Sequence, residues 1–94
     1  MKTTEVNESL IGKRVRCIFT GIECTGTIMG VVEHYSQNHP KRVAEGEPTQ
    51  VLCSKGVRIK LDTPVVWGEC TYHEYESTAR VHDDWGNLQH TSLI

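Results

Sequence analysis

Residues 13–35 read KRVRCIFTGIECTGTIMGVVEHY, and their period decides the fold. Over residues 13–19, Val15, Cys17 and Phe19 alternate with Arg14, Arg16 and Ile18. That is the two-residue period of a half-buried β-strand. Thr20-Gly21-Ile22-Glu23 makes a connection. From about Cys24 to Tyr35 the chain is rich in Thr, Ile and Val, which suit a pleated surface. Gly26 and Gly30 lie inside this second strand, where glycine marks a bulge or a sharp bend.

The same alternation continues outward. Residues 57–61, VRIKL, place Val57, Ile59 and Leu61 inside and Arg58 and Lys60 outside. A short strand over about Gln50–Cys53 precedes them, with a turn expected at Ser54-Lys55-Gly56. Asp62-Thr63-Pro64 is expected to end the strand, because proline has no N–H to give to a ladder. Gly68-Glu69 turns the chain after Val65-Val66-Trp67. Residues 70–77 and 78–81 read as one long strand or as two with a kink, and residues 88–94 as a closing strand. Residues 36–50, SQNHPKRVAEGEPTQ, hold two prolines and a glycine and show no period, so a long mobile loop is expected. No stretch carries a 3.6-residue apolar period over about 11 residues or more. Short strands with evenly spaced turn signals predict an all-β fold: a small SH3-like barrel or a curled antiparallel sheet of five to seven strands with one long loop. The polar residues 1–8 are expected to be a flexible tail. Residues 9–94 then form a single β-barrel domain.

Ninety-four residues make one domain. A chain of this length buries roughly 60–65% of its unfolded surface, so the core is small. The formal net charge is −2, from 10 basic and 12 acidic residues. A dedicated nucleic-acid binder normally carries a clear basic excess. The opening MKTTEVNESL lacks an apolar run, so no secretory signal is expected, and no stretch nears the roughly 18–20 apolar residues of a membrane helix. Cys17, Cys24, Cys53 and Cys70 form no CxxC pair. The expectation is a cytoplasmic protein whose cysteines are reduced and act as small apolar residues. Their spacing does not suit a structural zinc site.

Residues 82–91, HDDWGNLQHT, pose the sharpest question of chemistry. Asp83-Asp84-Trp85-Gly86-Asn87 fits a hairpin loop, with glycine at a left-handed position. A metal site would need His82 and His90 to face each other and His73 with Glu74 to complete the set. No HExxH or comparable spacing supports this, so the turn is the preferred reading and neither a metal nor a cofactor is expected. No glycine-flanked nucleophile and no phosphate loop of the GxxxxGK or GxGxxG kind is present. An enzyme is therefore not expected.

The outward side chains are the better candidates. Arg14 and Arg16 leave one strand and Arg58 and Lys60 another, and if those strands lie close together the four cations share a patch. Tyr35, Tyr72 and Tyr75 are expected to border it. Arg and Tyr are over-represented at binding hot spots and also suit phosphate and base recognition. The plainer alternative is an ordinary solvated face whose edge lysines discourage aggregation. The candidate binding set is Arg14, Arg16, Arg58, Lys60, Tyr72 and Tyr75, with residues 36–50 as an adaptable loop.

Over residues 10–34, LIGKRVRCIFTGIECTGTIMGVVEH, the chain resembles the opening of small Src-homology-3-like barrels. The shared pattern is a Leu-Ile-Gly-Lys lead-in, a strand, a glycine turn, and a Gly-Thr-Ile strand ending in paired valines. Barrels of the ribosome-maturation type and small transcription-associated barrels begin similarly. GNLQHTSLI, residues 86–94, resembles their last strand. The resemblance implies a fold and not a ligand. The short chain also resembles hypothetical proteins of phages and mobile elements. Together these readings lead to a non-catalytic module that engages a protein partner, as a phage-type modulator of a host protein would. The alternative is an anion binder for single-stranded nucleic acid or a small nucleotide. Barrel edges able to pair with another chain add a homodimer to the expectations.

Overall fold

The computed structural model describes residues 1–81, 88 and 90–94. Its described residues form one antiparallel sheet of five strands: β1 Arg14–Phe19, β2 Ile22–Gln37, β3 Gln50–Trp67, β4 Cys70–Arg80 and β5 Ser92–Leu93. The order across the sheet is β4-β3-β2-β1-β5. The fold is all-β and curled. Of the two expected architectures it is the open sheet, because no ladder among the described residues joins β4 to β5.

Turn chemistry builds the β1–β2 and β3–β4 hairpins. Thr20 and Gly21 both take positive φ, 52° and 78°, and Phe19 pairs with Ile22 around them. Two positive-φ residues in a two-residue loop match the right-handed twist of the strands they join. Gly68, at φ 62°, opens the two-residue turn between β3 and β4, closed by Trp67 opposite Cys70.

Two bulges bend the β2–β3 ribbon. Ile28 faces Ile59 and Gly30 faces Arg58, so Met29 is an extra residue on β2. His34 faces Ser54 and Tyr35 faces Leu52, so Cys53 is an extra residue on β3. Each extra residue strengthens the local twist. The bend rolls β1 toward β4 across two intervening strands. Phe19 at the end of β1 lies 5.2 Å from the Tyr72 ring and 4.8 Å from the Tyr75 ring. The buried hydroxyls of Ser77 and Thr91 meet at 2.7 Å. The curl is thus held by side chains, where a barrel would use a ladder.

Three expectations are corrected. The turn at Ser54-Lys55-Gly56 does not form; these residues run through β3 and pair on both sides, Gly56 with Val32 and with Thr78. Gly56 is there for close approach: a Cβ would sit 1.9 Å from the Ser77 carbonyl oxygen. Pro64 does not end the strand either. The β3–β4 pairing jumps from Lys60–Glu74 to Val65–Tyr72, so residues 61–64 stand against His73 alone. Proline is tolerated inside such an irregularity, where its missing N–H breaks no ladder bond. Last, residues 1–8 are not a loose tail. They carry two 3₁₀ turns, Thr3–Glu5 and Glu8–Leu10, with Val6 and Leu10 buried in the core. The Met1 ammonium donates to the Thr91 carbonyl at 3.2 Å, and the Leu88 N–H donates to the Met1 carbonyl at 2.7 Å.

The segment 36–50 also has more structure than a long loop. β2 runs to Gln37, helix α1 spans Pro40–Ala44, and β3 starts at Gln50. Pro40 takes the first helical position, where its missing N–H costs nothing, and the His39 ring accepts from the Lys41 N–H at 3.2 Å. The closing strand is shorter than expected, Ser92–Leu93 alone. The core gathers Val15, Cys17, Ile28, Val57, Ile59, Leu61 and Val65 from the strands, with Val6, Leu10 and Leu88 from the flanks.

Candidate functional site

Strand alternation sets Arg14, Arg16, Arg58 and Lys60 on the outer face of the sheet, all exposed, as expected. Register then brings acids among them. Arg14 faces Thr27, Thr27 faces Lys60, and Lys60 faces Glu74, in one row across four strands. The Arg14 guanidinium grips both carboxylate oxygens of Asp62 and donates to the Thr27 hydroxyl at 3.0 Å. The Thr25 hydroxyl donates to Asp62 at 2.7 Å. The hydrogen bonds from Arg14 and then Thr25 pull the Asp62 carboxyl down to about 2, and the same contact raises Arg14. Arg16 meets Glu23 at 3.1 Å, and Arg58 stands opposite Glu76. The face is therefore a mosaic of both signs rather than a basic patch.

The tyrosines of the candidate set lie elsewhere. Tyr72 and Tyr75 pack with Phe19 where the rolled sheet comes together, and Tyr75 leans on the core. Tyr35 is exposed and its hydroxyl bonds to Glu33, which raises the phenol. Arginines and tyrosines thus do not form one surface. Asp62, Thr25 and Glu23, which organise the outer face, were not singled out by the sequence. Their roles depend on register, and Asp62 lies 48 residues from Arg14.

Beside this mosaic the sheet opens. The β2–β3 ladder ends at Gly26–Leu61. Beyond it, residues 22–25 of β2 pair with β1 only, and Val65–Trp67 of β3 pair with β4 only. Between them lies a cleft of about 340 Å³ lined by Ile22, Glu23, Cys24 and Thr25 on one wall and Thr63, Pro64, Val65 and Val66 on the other. Its size falls within the range of ligand-sized recesses, about 300–1,000 Å³. Ile22 is 45% exposed, Val66 66%, and Trp67, next along β3, 58%. Pro64 carries the signal that could have located it: a residue unable to donate lies in the parted stretch, beyond the last β2–β3 pair at Leu61.

The histidine reading gains little. His73 is exposed on β4 and His90 is exposed at φ 58°. His82 and the turn over residues 83–87 lie outside the described residues. Among the described residues no three His, Cys, Asp or Glu side chains come together as metal ligands would. The four cysteines are free. Burial, and then the neighbouring Cys24, push the Cys17 thiol up to about 11. No helix among the described residues is long and apolar enough to cross a membrane.

Fold and site together define a small, open, antiparallel β-sheet domain with a parted strand pair beside a charge-mosaic face. The chain belongs to the family described as Domain of unknown function (DUF7258), whose model matches residues 1–93. No curated protein and no solved structure matches it.

Proposed function

We propose that this chain is a non-catalytic binding module for a protein partner, and that the partner seats in the cleft between β2 and β3. The observation that carries the reading is the cleft itself, about 340 Å³, in which Ile22, Pro64, Val65 and Val66 stand among Glu23, Thr25 and Thr63, with Trp67 exposed next to it along β3. Apolar recesses rimmed by charge are where interface anchors bury, and tryptophan is among the residues most enriched at hot spots. Two strand edges also face this space, and an extended segment of a partner could use their backbone groups. The outer-face cations favour a protein over an anion. Each stands near a carboxylate, Glu23, Asp62, Glu74 or Glu76, so a phosphate would meet negative charge as well. A cytoplasmic modulator of a host protein, of the kind phages carry, is the role such binding would serve. A second copy would be a partner of the same type, with the β4 edge as the pairing strand.

Affinity capture from host lysate tests the proposal. Wild-type protein should retain a specific partner. Trp67→Ala should weaken retention about 30-fold, the equivalent of losing roughly 2 kcal/mol at a hot spot. Arg58→Glu, away from the cleft, should change it little. Equal retention by wild type and Trp67→Ala would remove the cleft from the interface. Oligonucleotide binding that fades steeply between about 50 and 200 mM salt, with no protein partner, would overturn the reading in favour of an anion binder.

A further inference from the structure

Cys17 and Cys24 stand directly opposite each other in the β1–β2 ladder. Directly opposed residues of antiparallel strands have Cα atoms about 4.5–5.5 Å apart. A disulfide spans roughly 4.4–6.8 Å between Cα atoms. Both side chains share the inner face, as opposed residues of one ladder do, and both pack with the core. Their access differs. Cys17 is fully buried, whereas Cys24 is half-buried and forms part of the cleft wall, its thiol donating to the Ile22 carbonyl at 3.3 Å. A small solute entering the cleft meets Cys24 first. Neither Cys53 nor Cys70 faces another cysteine in any ladder: Cys53 is the extra residue of a bulge and Cys70 faces Trp67.

We propose that Cys17 and Cys24 form a reversible dithiol–disulfide site, in which a hydroperoxide entering the cleft oxidises Cys24 and Cys17 resolves the product into a cross-strand disulfide. In the first step the Cys24 sulfur attacks a peroxide oxygen. The S–O bond forms, the O–O bond breaks, and with hydrogen peroxide one water leaves, giving the sulfenic acid. In the second step the Cys17 sulfur attacks the Cys24 sulfur. The S–S bond forms, the S–O bond breaks, and the departing hydroxide takes the Cys17 proton as a second water. Two electrons pass from the pair of thiols to the peroxide. The second step is the slow one, because burial keeps Cys17 in its thiol form and the thiolate is the nucleophile. An added dithiol reverses the reaction by exchange. The site needs the cleft open to a small solute and does not rest on which partner seats there.

The test uses the full chain with Cys53→Ser and Cys70→Ser, treated with hydrogen peroxide, then unfolded and alkylated. Cleavage after Glu23 separates Cys17 from Cys24 unless a disulfide joins them. The expected result is that both thiols are lost together, that the two fragments stay joined, and that dithiothreitol releases them. Fragment mapping on the wild-type chain should give the same Cys17–Cys24 link, so the result does not hinge on how the double variant folds. Cys17→Ser should leave Cys24 without a resolving thiol, and Cys24 should then progress to the sulfinic acid. Oxidised Cys24 beside a still-alkylated Cys17, links from either residue to Cys53 or Cys70 in the wild type, or untouched thiols would each overturn the proposal.

Discussion

β2 and β3 are neighbours along most of their length, yet the two ends of that partnership differ. Where they pair, from Gly26–Leu61 to Gln37–Gln50, the sheet includes fully buried Ile28, Val57 and Ile59, and Gly56 lets β4 approach closely. Where they part, beyond Gly26 and Leu61, the side chains of Ile22 and Val66 are largely exposed around a cleft. The composition of the two ends is similar, both rich in Val and Ile. A backbone able to donate all along one end, and a proline at position 64 in the other, accompany the difference. One part of the ribbon supplies stability and the other is left available for contact.

Substitutions in the paired part should therefore cost most. Gly56→Ala would force a Cβ against the backbone of Ser77 and Thr78. The expected loss is about 3 kcal/mol, the upper end of overpacking costs, read as a lowered urea midpoint. Ser77→Ala should come next. It leaves the buried Thr91 hydroxyl without its 2.7 Å partner, a loss of about 1–3 kcal/mol. Adding Thr91→Val should recover much of that loss, because removing both polar partners is far cheaper than orphaning one.

The ion pair at the border of the two parts predicts a pH dependence. Asp62 is held near 2 by Arg14 and Thr25, against an ordinary value of 3.8. A lowered folded-state value means that its contribution is complete above about pH 4 and is lost as the pH falls toward 2. Denaturation midpoints measured across that window should show this slice of acid sensitivity in the wild type. Asp62→Asn should lack it. The pair is exposed, so added salt should shrink the difference. Val66→Ala, in the parted region, should have the smallest effect, within about 0.5 kcal/mol, as expected for a surface change. A large loss there would mean that Val66 is packed and that the cleft is not open.

The sequence made part of this comparison legible. Alternation at residues 13–19 and 57–61 correctly separates buried Val15, Cys17, Val57, Ile59 and Leu61 from exposed Arg14, Arg16, Arg58 and Lys60. The glycines of the Thr20-Gly21 and Gly68-Glu69 turns read true because a left-handed turn leaves a local mark. Gly56 misleads because close packing against β4 and a turn both call for glycine, and only the partner strand tells them apart. Pro64 misleads because a proline can sit where a ladder is interrupted without ending the strand. The charge mosaic was hidden for a different reason. Arg14–Asp62 and Lys60–Glu74 are matched by register, and a two-residue period fixes which face a side chain takes without fixing its neighbour. Phe19 meeting Tyr72 and Tyr75 depends on the curl, which the bulges at Met29 and Cys53 help produce.

Amide hydrogen exchange along β2 tests the parting of the strands most directly. In an antiparallel strand alternate amides face opposite neighbours. With Phe19–Ile22 closing the hairpin, the amides of Glu23 and Thr27 both face β3, Thr27 where Lys60 is its partner and Glu23 where the ladder has ended. The Thr27 amide should be strongly protected and the Glu23 amide should exchange orders of magnitude faster. Equal protection at Glu23 and Thr27 would show the two strands joined past Pro64, and the cleft, with the binding role built on it, would be contradicted.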